Sequence, residues 1–190
     1  LNLKGTNIEI VDKMKILGTI INNQLSWDDN CNEIIKKVNS RMQLIRSLQS
    51  FGASANEMVH FWQIFCRSVL EQSCVVWGSS LTQENIENLE RTQKSFAKLV
   101  LREKYNNYND ALKILNLDTL ENRRKELTKR FAMNGIMSNT LNDLFPRNDP
   151  KHKMERRKKE KFKVNFANTE RLKNASVITM QNLLNQENND

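Results

Sequence analysis

The sequence predicts a mainly α-helical fold, in which a helical bundle follows a small antiparallel β element and precedes a basic C-terminal tail. Three observations predict it: short β-branched runs near the start are broken by turn residues, apolar residues then recur at helical spacing behind capping residues, and lysine and arginine dominate after Pro146. We therefore expect residues 1–25 to form the β element, residues 26–146 the helical domain and residues 147–190 the tail.

The β element consists of short extended segments. Ile8, Ile10, Leu17 and Ile20 lie in runs that turn residues interrupt, a pattern that favours two or three antiparallel strands over a helix. Gly18 lies inside the last run, where a glycine weakens strand pairing and usually marks a bulge or a close approach to the backbone. We interpret Gly18 first as a bulge.

Capping residues mark the starts of the helices, because a side-chain oxygen there can accept from a free backbone N–H. The predicted starts are Ser26, Ser54 with Glu57, Thr82, Asn109–Asp110, and Thr119 or Asp118. We expect the helix from Ser54 to be long and central, ending near Trp77–Gly78. Residues 170–185 are expected to form a final short helix that docks back.

Basic side chains fall off the apolar stripes of these helices. The first helix carries Lys36, Lys37 and Arg41, the third carries Arg91, Lys94, Lys98 and Arg102, and the last of the bundle carries Arg123 and Arg124. Such faces are either solvated or turned toward nucleic acid, and the sequence leaves both interpretations open. From residue 147 to 163, nine basic and three acidic residues supply six of the chain's eight net positive charges.

Composition bears on the compartment. The sequence contains no apolar run of about 18 residues, so we expect no membrane association. Cys31, Cys66 and Cys74 match neither a disulfide framework nor paired metal ligands, and are predicted to be buried thiols in a reducing compartment. We expect an intracellular protein, in the nucleus or the cytoplasm, and Arg156–Lys159 fits a nuclear-localisation signal.

The residues indicate no active site. Asp28 and Asp29 are the nearest approach to a carboxylate pair, and their place in the first turn of a helix is explained by the helix dipole. His60 and His152 have no companions that would complete a zinc site. We predict no catalytic residue, no metal site and no cofactor within the chain, and the residues alone support a basic helical binding module.

The order of these features resembles the end of the reverse transcriptase of non-LTR retrotransposons of the LINE type, in particular the jockey-like elements. Lys15–Gly18 resembles the strand of the primer grip, although Ile16 stands where the family usually has Tyr or Phe. Leu25–Trp27 and the basic helix after it resemble the segment that follows the primer grip in that family. Further matches in the same order are Arg67–Glu71, Val76–Gly78, Leu89–Lys94, Asp110–Leu112 with Leu115–Leu117, Leu120–Arg124 and Asn165–Asn185.

The resemblance implies that the chain is a C-terminal part of an RNA-directed DNA polymerase from a mobile element: primer grip, thumb and tail. It implies that the palm aspartates and their Mg²⁺ lie in another part of the same polypeptide, with the fingers, so that this fragment has no catalytic centre of its own. Whether the chain itself counts as an enzyme stays open. The partner is then an RNA–DNA hybrid or another duplex, held through its backbone without sequence readout.

The resemblance and the basic faces together give the candidate nucleic-acid-binding residues. They are Lys15, Leu17, Gly18, Lys36, Lys37, Arg41, Arg91, Lys94 and Arg124. Under the resemblance, Gly18 gains a second interpretation, since a residue without Cβ lets the backbone approach a primer closely. Two alternatives stand beside this: a non-enzymatic helical protein-interaction module derived from such an element, and a sequence-specific DNA-binding protein with one helix in a major groove.

Overall fold

The computed structural model describes residues 2–3, 6–7, 9–138, 141–147 and 162–186. It is mainly helical, with short antiparallel strands ahead of the helices, which confirms the predicted fold class. The contacts group the chain into two compact units. The first comprises Leu1–Gln72 with Thr82–Leu117, and the second comprises Ser73–Leu81 with Asp118–Asp190. The two units do not follow the predicted boundaries at residues 25 and 146.

The elements follow in chain order. The strands are β1 (Asn2–Leu3), β2 (Thr6–Asn7), β3 (Lys13–Ile16) and β4 (Thr19–Asn22). The α-helices are α1 (Asp28–Ser50), α2 (Ala55–Phe61), α3 (Ser68–Glu71), α4 (Cys74–Trp77), α5 (Gln83–Leu101), α6 (Tyr108–Leu115), α7 (Leu120–Met137), α8 (Glu170–Lys173) and α9 (Ser176–Gln186). A π-helix spans Trp62–Arg67, and 3₁₀ turns span Gly78–Ser80, Arg102–Lys104 and Asn142–Leu144.

The strands form two separate antiparallel hairpins, β1 with β2 and β3 with β4. In the second hairpin Ile16 lies opposite Thr19, so Leu17 and Gly18 are the two residues of the turn. Both have positive φ, 47° and 89°, as a type I′ turn requires. The interpretation of Gly18 as a strand bulge is therefore wrong. Its lack of a Cβ permits the turn rather than a bulge.

Most predicted helix starts are confirmed, and two are corrected. Ser54 and Glu57 form the capping box, while Thr82 and Thr119 cap α5 and α7. Ser26 does not cap α1, whose preceding residue is Trp27. The cap of α6 is Asn107, two residues before the predicted position, and its side chain accepts from the backbone N–H of Asp110 at 2.9 Å.

The predicted long helix from Ser54 to Trp77 is interrupted. It begins as α2, changes to the π-helix, and ends with α3 at Glu71. Ser73 then takes a left-handed conformation with φ of 53°, which breaks the chain direction before α4. The apolar periodicity continues across this break, so the hydrophobic pattern alone gave no sign of it.

The first unit is built on two neighbouring helices that run in the same direction. Asn85 Nδ2 donates to Asp28 Oδ1 at 2.7 Å near the starts of α5 and α1, and Gln49 Nε2 donates to the Leu99 carbonyl at 2.7 Å near their ends. Trp62 stacks on Phe96 with ring centroids 4.5 Å apart, so the π-helix closes the same core. Other buried core side chains are Val38, Met42, Ile45 and Leu89.

A chain of hydrogen bonds crosses this core. Trp62 Nε1 donates to Gln93 Oε1 at 3.4 Å, Gln93 Nε2 donates to the Tyr108 hydroxyl at 2.9 Å, and that hydroxyl donates to the Glu90 carboxylate. Gln93 is fully buried and Glu90 nearly so. Because buried polar groups cost free energy unless they are paired, this chain fixes the mutual positions of α5, α6 and the π-helix.

The second unit packs around a small apolar cluster formed by Ala132, Phe145, Phe162, Met180 and Leu184. Two buried amides on α9 fasten the backbone beside it. Asn185 accepts from the Phe162 N–H and donates to the Phe162 carbonyl, both at 2.9 Å, and Gln181 Nε2 donates to the Leu144 carbonyl at 2.8 Å. The span predicted as one final helix, residues 170–185, forms two helices, α8 and α9. The second of them, α9, packs back within this unit. The basic stretch 148–161, including Arg156–Lys159, lies outside the described residues.

The three cysteines are buried, as the sequence predicts. Cys31, Cys66 and Cys74 are free and buried, and burial raises the pKa of the Cys66 thiol to about 11. Within the described residues, no helix has both the length and the apolar character needed to cross a bilayer.

We expect Phe96→Ala to lower the free energy of unfolding by about 3–5 kcal/mol, because it opens a cavity beneath Trp62. Phe51→Ala is the matched control: that ring is 86% exposed, so its loss should change stability by no more than about 0.5 kcal/mol. Urea denaturation of both variants measures the difference. Equal losses in the two variants would contradict the assignment of Phe96 to the core.

The hydrogen-bond chain predicts an unusual alkaline titration. Burial, and after it the hydrogen bond to Glu90 and the charge of that carboxylate, raise the pKa of Tyr108 far above its usual range. This contribution to stability is complete below the pKa of an unfolded tyrosine, about 10, and is lost as the pH rises toward the folded value. We expect Tyr108→Phe to leave the phenolate absorbance of the folded protein unchanged up to about pH 11. In urea, the wild type should show one more titrating tyrosine than the variant.

Candidate nucleic-acid interface

Arg91, Lys94 and Lys98 lie along one side of α5, which we call the α5 basic face. Their spacing of three and four residues places them on a common side of the helix, away from buried Leu89 and Phe96. Arg91 is exposed, and its Nη1 donates to Asn88 Oδ1 at 2.8 Å. A row of cations on a helix surface is a shape that can follow successive backbone phosphates.

Two tyrosines support this face from beneath. Lys94 Nζ lies 5.2 Å from the centroid of the Tyr108 ring, and Lys98 Nζ lies 5.4 Å from that of Tyr105. Cation–π contacts of this kind orient an ammonium without neutralising it. In the described part of the chain, no ion pair engages Arg91, Lys94 or Lys98. No described carboxylate therefore neutralises the α5 basic face.

Two of the predicted site residues share a carboxylate. Lys37 Nζ lies 3.5 Å from Glu33 Oε1, and Lys15 Nζ lies 3.8 Å from the same oxygen. Glu33 thus brings β3 and α1 together and offsets part of their charge. Lys36, one residue away on α1, is exposed and lies opposite the buried stripe of the helix.

Arg41 has a structural contact that the sequence did not indicate. Its Nη1 donates to the backbone carbonyl of Phe65, inside the π-helix. A π-helix shifts the backbone hydrogen bonds of one turn out of the α-helical pattern, and a guanidinium is a strong donor to a carbonyl released in this way. Arg41 therefore holds α1 against the π-helix rather than standing free toward a phosphate.

The hairpin turn is fixed from one side and exposed on the other. Gln72 Nε2 donates to the Leu17 carbonyl at 3.0 Å, and a Cβ on Gly18 would lie 2.5 Å from the same nitrogen. The Leu17 side chain is 90% exposed although its backbone is left-handed. An exposed apolar side chain in a disfavoured conformation points to a role other than stability.

Arg124 does not lie where the sequence predicted. It is only 4% exposed in the second unit, where Gly78 leaves room for it: a Cβ there would come within 3.2 Å of Arg124 Cδ. Its placement as a phosphate contact is a wrong prediction, because a buried guanidinium cannot reach a backbone phosphate. The contact does bring together two segments of the resemblance, Val76–Gly78 and Leu120–Arg124.

Sequence reasoning missed part of the site. Tyr105 and Tyr108 were not predicted, although the spacing of Lys94 and Lys98 and the two tyrosines seven to fourteen residues later are visible in the sequence. The tyrosines lie beyond the end of α5, so only the return of the chain through α6 places their rings beneath the lysines. Nothing in the helical periodicity of α5 reveals that return.

Asp28 and Asp29, at the start of α1, both have structural contacts. Asp28 accepts from Asn85, and Asp29 Oδ1 lies 3.5 Å from Lys13 Nζ. Among the residues that the structure describes, no three His, Cys, Asp or Glu side chains form a group that could hold a metal ion. The expectation of Mg²⁺ elsewhere in the polypeptide stays a prediction.

Comparisons with known proteins identify no relative. No family model matches the chain, no curated protein matches it, and no solved structure matches it.

Proposed function

We propose that the chain is a sequence-independent nucleic-acid-binding module: the primer-grip, thumb and tail portion of a reverse transcriptase from a non-LTR retrotransposon. The observation that carries the binding function is the α5 basic face, a row of three cations in which Lys94 and Lys98 lie over tyrosine rings. No carboxylate among the described residues forms an ion pair with any of the three. The sequence motifs that match in the same order are the reason for proposing a reverse transcriptase in particular. The ligand is an RNA–DNA hybrid, contacted through its phosphates.

The binding mode follows from the kinds of side chain present. Lysine on an aromatic ring presents a point charge, which suits phosphate oxygens and carries no sequence information. Lys36, on the outer side of α1, adds a separate exposed cation. A helix that reads bases would instead concentrate Asn, Gln and Arg at one end in a major groove. The α5 basic face spreads its charge along the helix, which favours following a duplex over recognising a site.

In this proposal the hairpin turn approaches the end of the primer. Leu17 would offer an apolar contact to the terminal sugar, while Gln72 holds the backbone of the turn in place. The reaction itself belongs to the catalytic residues of the remaining polypeptide, with Mg²⁺. The chain described here would contribute positioning of the primer and of the hybrid.

A protein-interaction module is the second candidate, and one observation favours it. Phe61 and Phe65 stack with centroids 4.5 Å apart, and Phe65 and the neighbouring Ile64 remain about half exposed on the π-helix. Aromatic side chains at the surface are common anchors in protein interfaces. This candidate requires no binding of nucleic acid by α5.

The first test is the salt dependence of binding. We expect the combined change Arg91→Glu, Lys94→Glu and Lys98→Glu to weaken binding to a labelled RNA–DNA hybrid. The slope of log affinity against log salt, measured between about 50 and 200 mM, should flatten by about one for each phosphate contact removed. Fluorescence anisotropy of the labelled hybrid gives both quantities.

The control carries the same change in net charge elsewhere. Lys125→Glu, Arg171→Glu and Lys173→Glu alter exposed cations of the second unit and should leave the slope nearly unchanged. A third variant replaces residues 148–161 by a short glycine–serine loop, since Arg147 and Phe162 already pair as an antiparallel bridge. If only this loop variant loses binding, the α5 basic face is not the interface and the protein-interaction candidate takes precedence.

A second prediction concerns Leu17. Leu17→Asn should raise the free energy of unfolding by about 0.5–1 kcal/mol, because Asn tolerates the left-handed conformation better than Leu. It should also weaken binding to a hybrid with a recessed primer end about fivefold, the factor that corresponds to about 1 kcal/mol of lost contact.

Leu25→Asn is the matched control for Leu17→Asn, because Leu25 is also exposed and also has positive φ, 53°, but lies outside the hairpin turn. It should stabilise the protein without changing affinity for the primer end. Equal binding by both variants would remove Leu17 from the proposed primer contact.

A further inference from the structure

The two outer edges of the β3–β4 hairpin differ. On β4, the Ile20 N–H points outward and donates to Asn30 Oδ1 of α1 at 3.0 Å. On β3, all four residues are exposed. One edge is therefore covered by α1, while the other faces solvent.

The register shows which backbone groups lie at the open edge. The Asn23 N–H donates to the Asp12 carbonyl at 2.8 Å, so Asp12 and Asn23 form a hydrogen-bonded pair. Such pairs alternate along an antiparallel ladder, which makes Met14 with Ile21 the next one. The N–H and C=O groups of Lys13 and Lys15 consequently point away from β4. No hydrogen bond to these groups occurs within the described residues.

The side chains of β3 divide between two faces. Lys13 and Lys15 lie on the face toward α1, where their ammonium groups approach Asp29 and Glu33. Met14 and Ile16 lie on the opposite face and are 51% and 43% exposed. A strand added at this edge would extend both faces, one cationic and one apolar.

The two lysines of β3 determine which segments can pair with its outer edge. In an antiparallel pairing of β3 with β3 of a second copy, lysines would face lysines, which is unfavourable. The segment 148–161 of this chain is itself rich in lysine and arginine and is excluded for the same reason. The exposed ion pairs to Asp29 and Glu33 are weak enough to exchange for a new carboxylate.

We propose that the outer edge of β3 is a β-augmentation site for an extended segment of a partner protein in which acidic and apolar residues alternate. Backbone hydrogen bonds to Lys13 and Lys15 fix the register of that segment. Its carboxylates lie beside the two lysines, and its apolar side chains cover Met14 and Ile16. This site is separate from the α5 basic face and does not depend on binding of nucleic acid.

The test uses the full chain and a seven-residue capped peptide in which valine alternates with glutamate. Amide hydrogen exchange, followed by NMR, reports the backbone directly. We expect the peptide to slow exchange at Lys13 and Lys15 by about tenfold or more, and to change Met14 and Ile16 less, because those amides are already paired. A peptide with lysine in place of glutamate should give much less protection.

Two controls separate strand addition from simple adsorption. Lys15→Pro removes one outward N–H and is tolerated at a strand edge, so binding should be lost while the amide shifts of Ile21 and Asn22 are kept. Lys15→Gln keeps the N–H and should weaken binding only partly. A peptide N-methylated along one edge repeats the test without altering the protein.

Several outcomes would overturn the proposal. One is the absence of protection at Lys13 and Lys15 at millimolar peptide. Another is equal binding by the N-methylated peptide, which would indicate adsorption on the apolar face alone. Protection that grows with protein concentration in the absence of peptide would identify a second copy as the occupant instead.

Discussion

The arrangement of the first unit depends on the buried amide of Gln93. It receives a hydrogen bond from Trp62 and donates one to Tyr108, so it links the π-helix to α6 through α5. A buried amide that loses a partner pays the full cost of its desolvation, which makes any sliding of these helices unfavourable. Because Tyr108 is held in this way, its ring lies beneath Lys94. The buried amide of Gln93 thus fixes, through Tyr108, the ring on which the ammonium group of Lys94 lies.

The sequence predicts those features of the fold that depend on residues close together in the chain, and misses those that depend on contacts between distant residues. Caps such as Ser54 and Thr82 depend on residues three positions apart, and these were readable from the sequence. The π-helix begins at Trp62, whose ring stacks on Phe96, a residue far away in the sequence. Helical periodicity has nearly the same appearance on both sides of such an interruption, so no local signal reported it.

The candidate site residues also fall into two groups, those whose positions follow from helical spacing and those engaged by tertiary contacts. The positions of Arg91 and Lys94 on the outer side of α5, opposite its buried residues, follow from helical spacing alone. Arg41 and Arg124 have the same residue type and a similar helical setting, but tertiary contacts take them up: a carbonyl of the π-helix in one case and the space above Gly78 in the other. Arginine serves both purposes because its guanidinium donates to carbonyls as readily as to phosphates. Only the tertiary contacts of each arginine separate the two uses.

Charge on this chain acts at two ranges. Residues 147–163 hold six of the eight net positive charges, so long-range attraction of a polyanion comes mainly from that segment. The remainder of the chain is almost balanced, because carboxylates such as Glu33 offset cations such as Lys37. Against this nearly neutral background the α5 basic face is a local exception, in which the rings of Tyr108 and Tyr105 lie beneath Lys94 and Lys98. Attraction and orientation would therefore reside in different parts of the chain, and a loss of one would leave the other measurable.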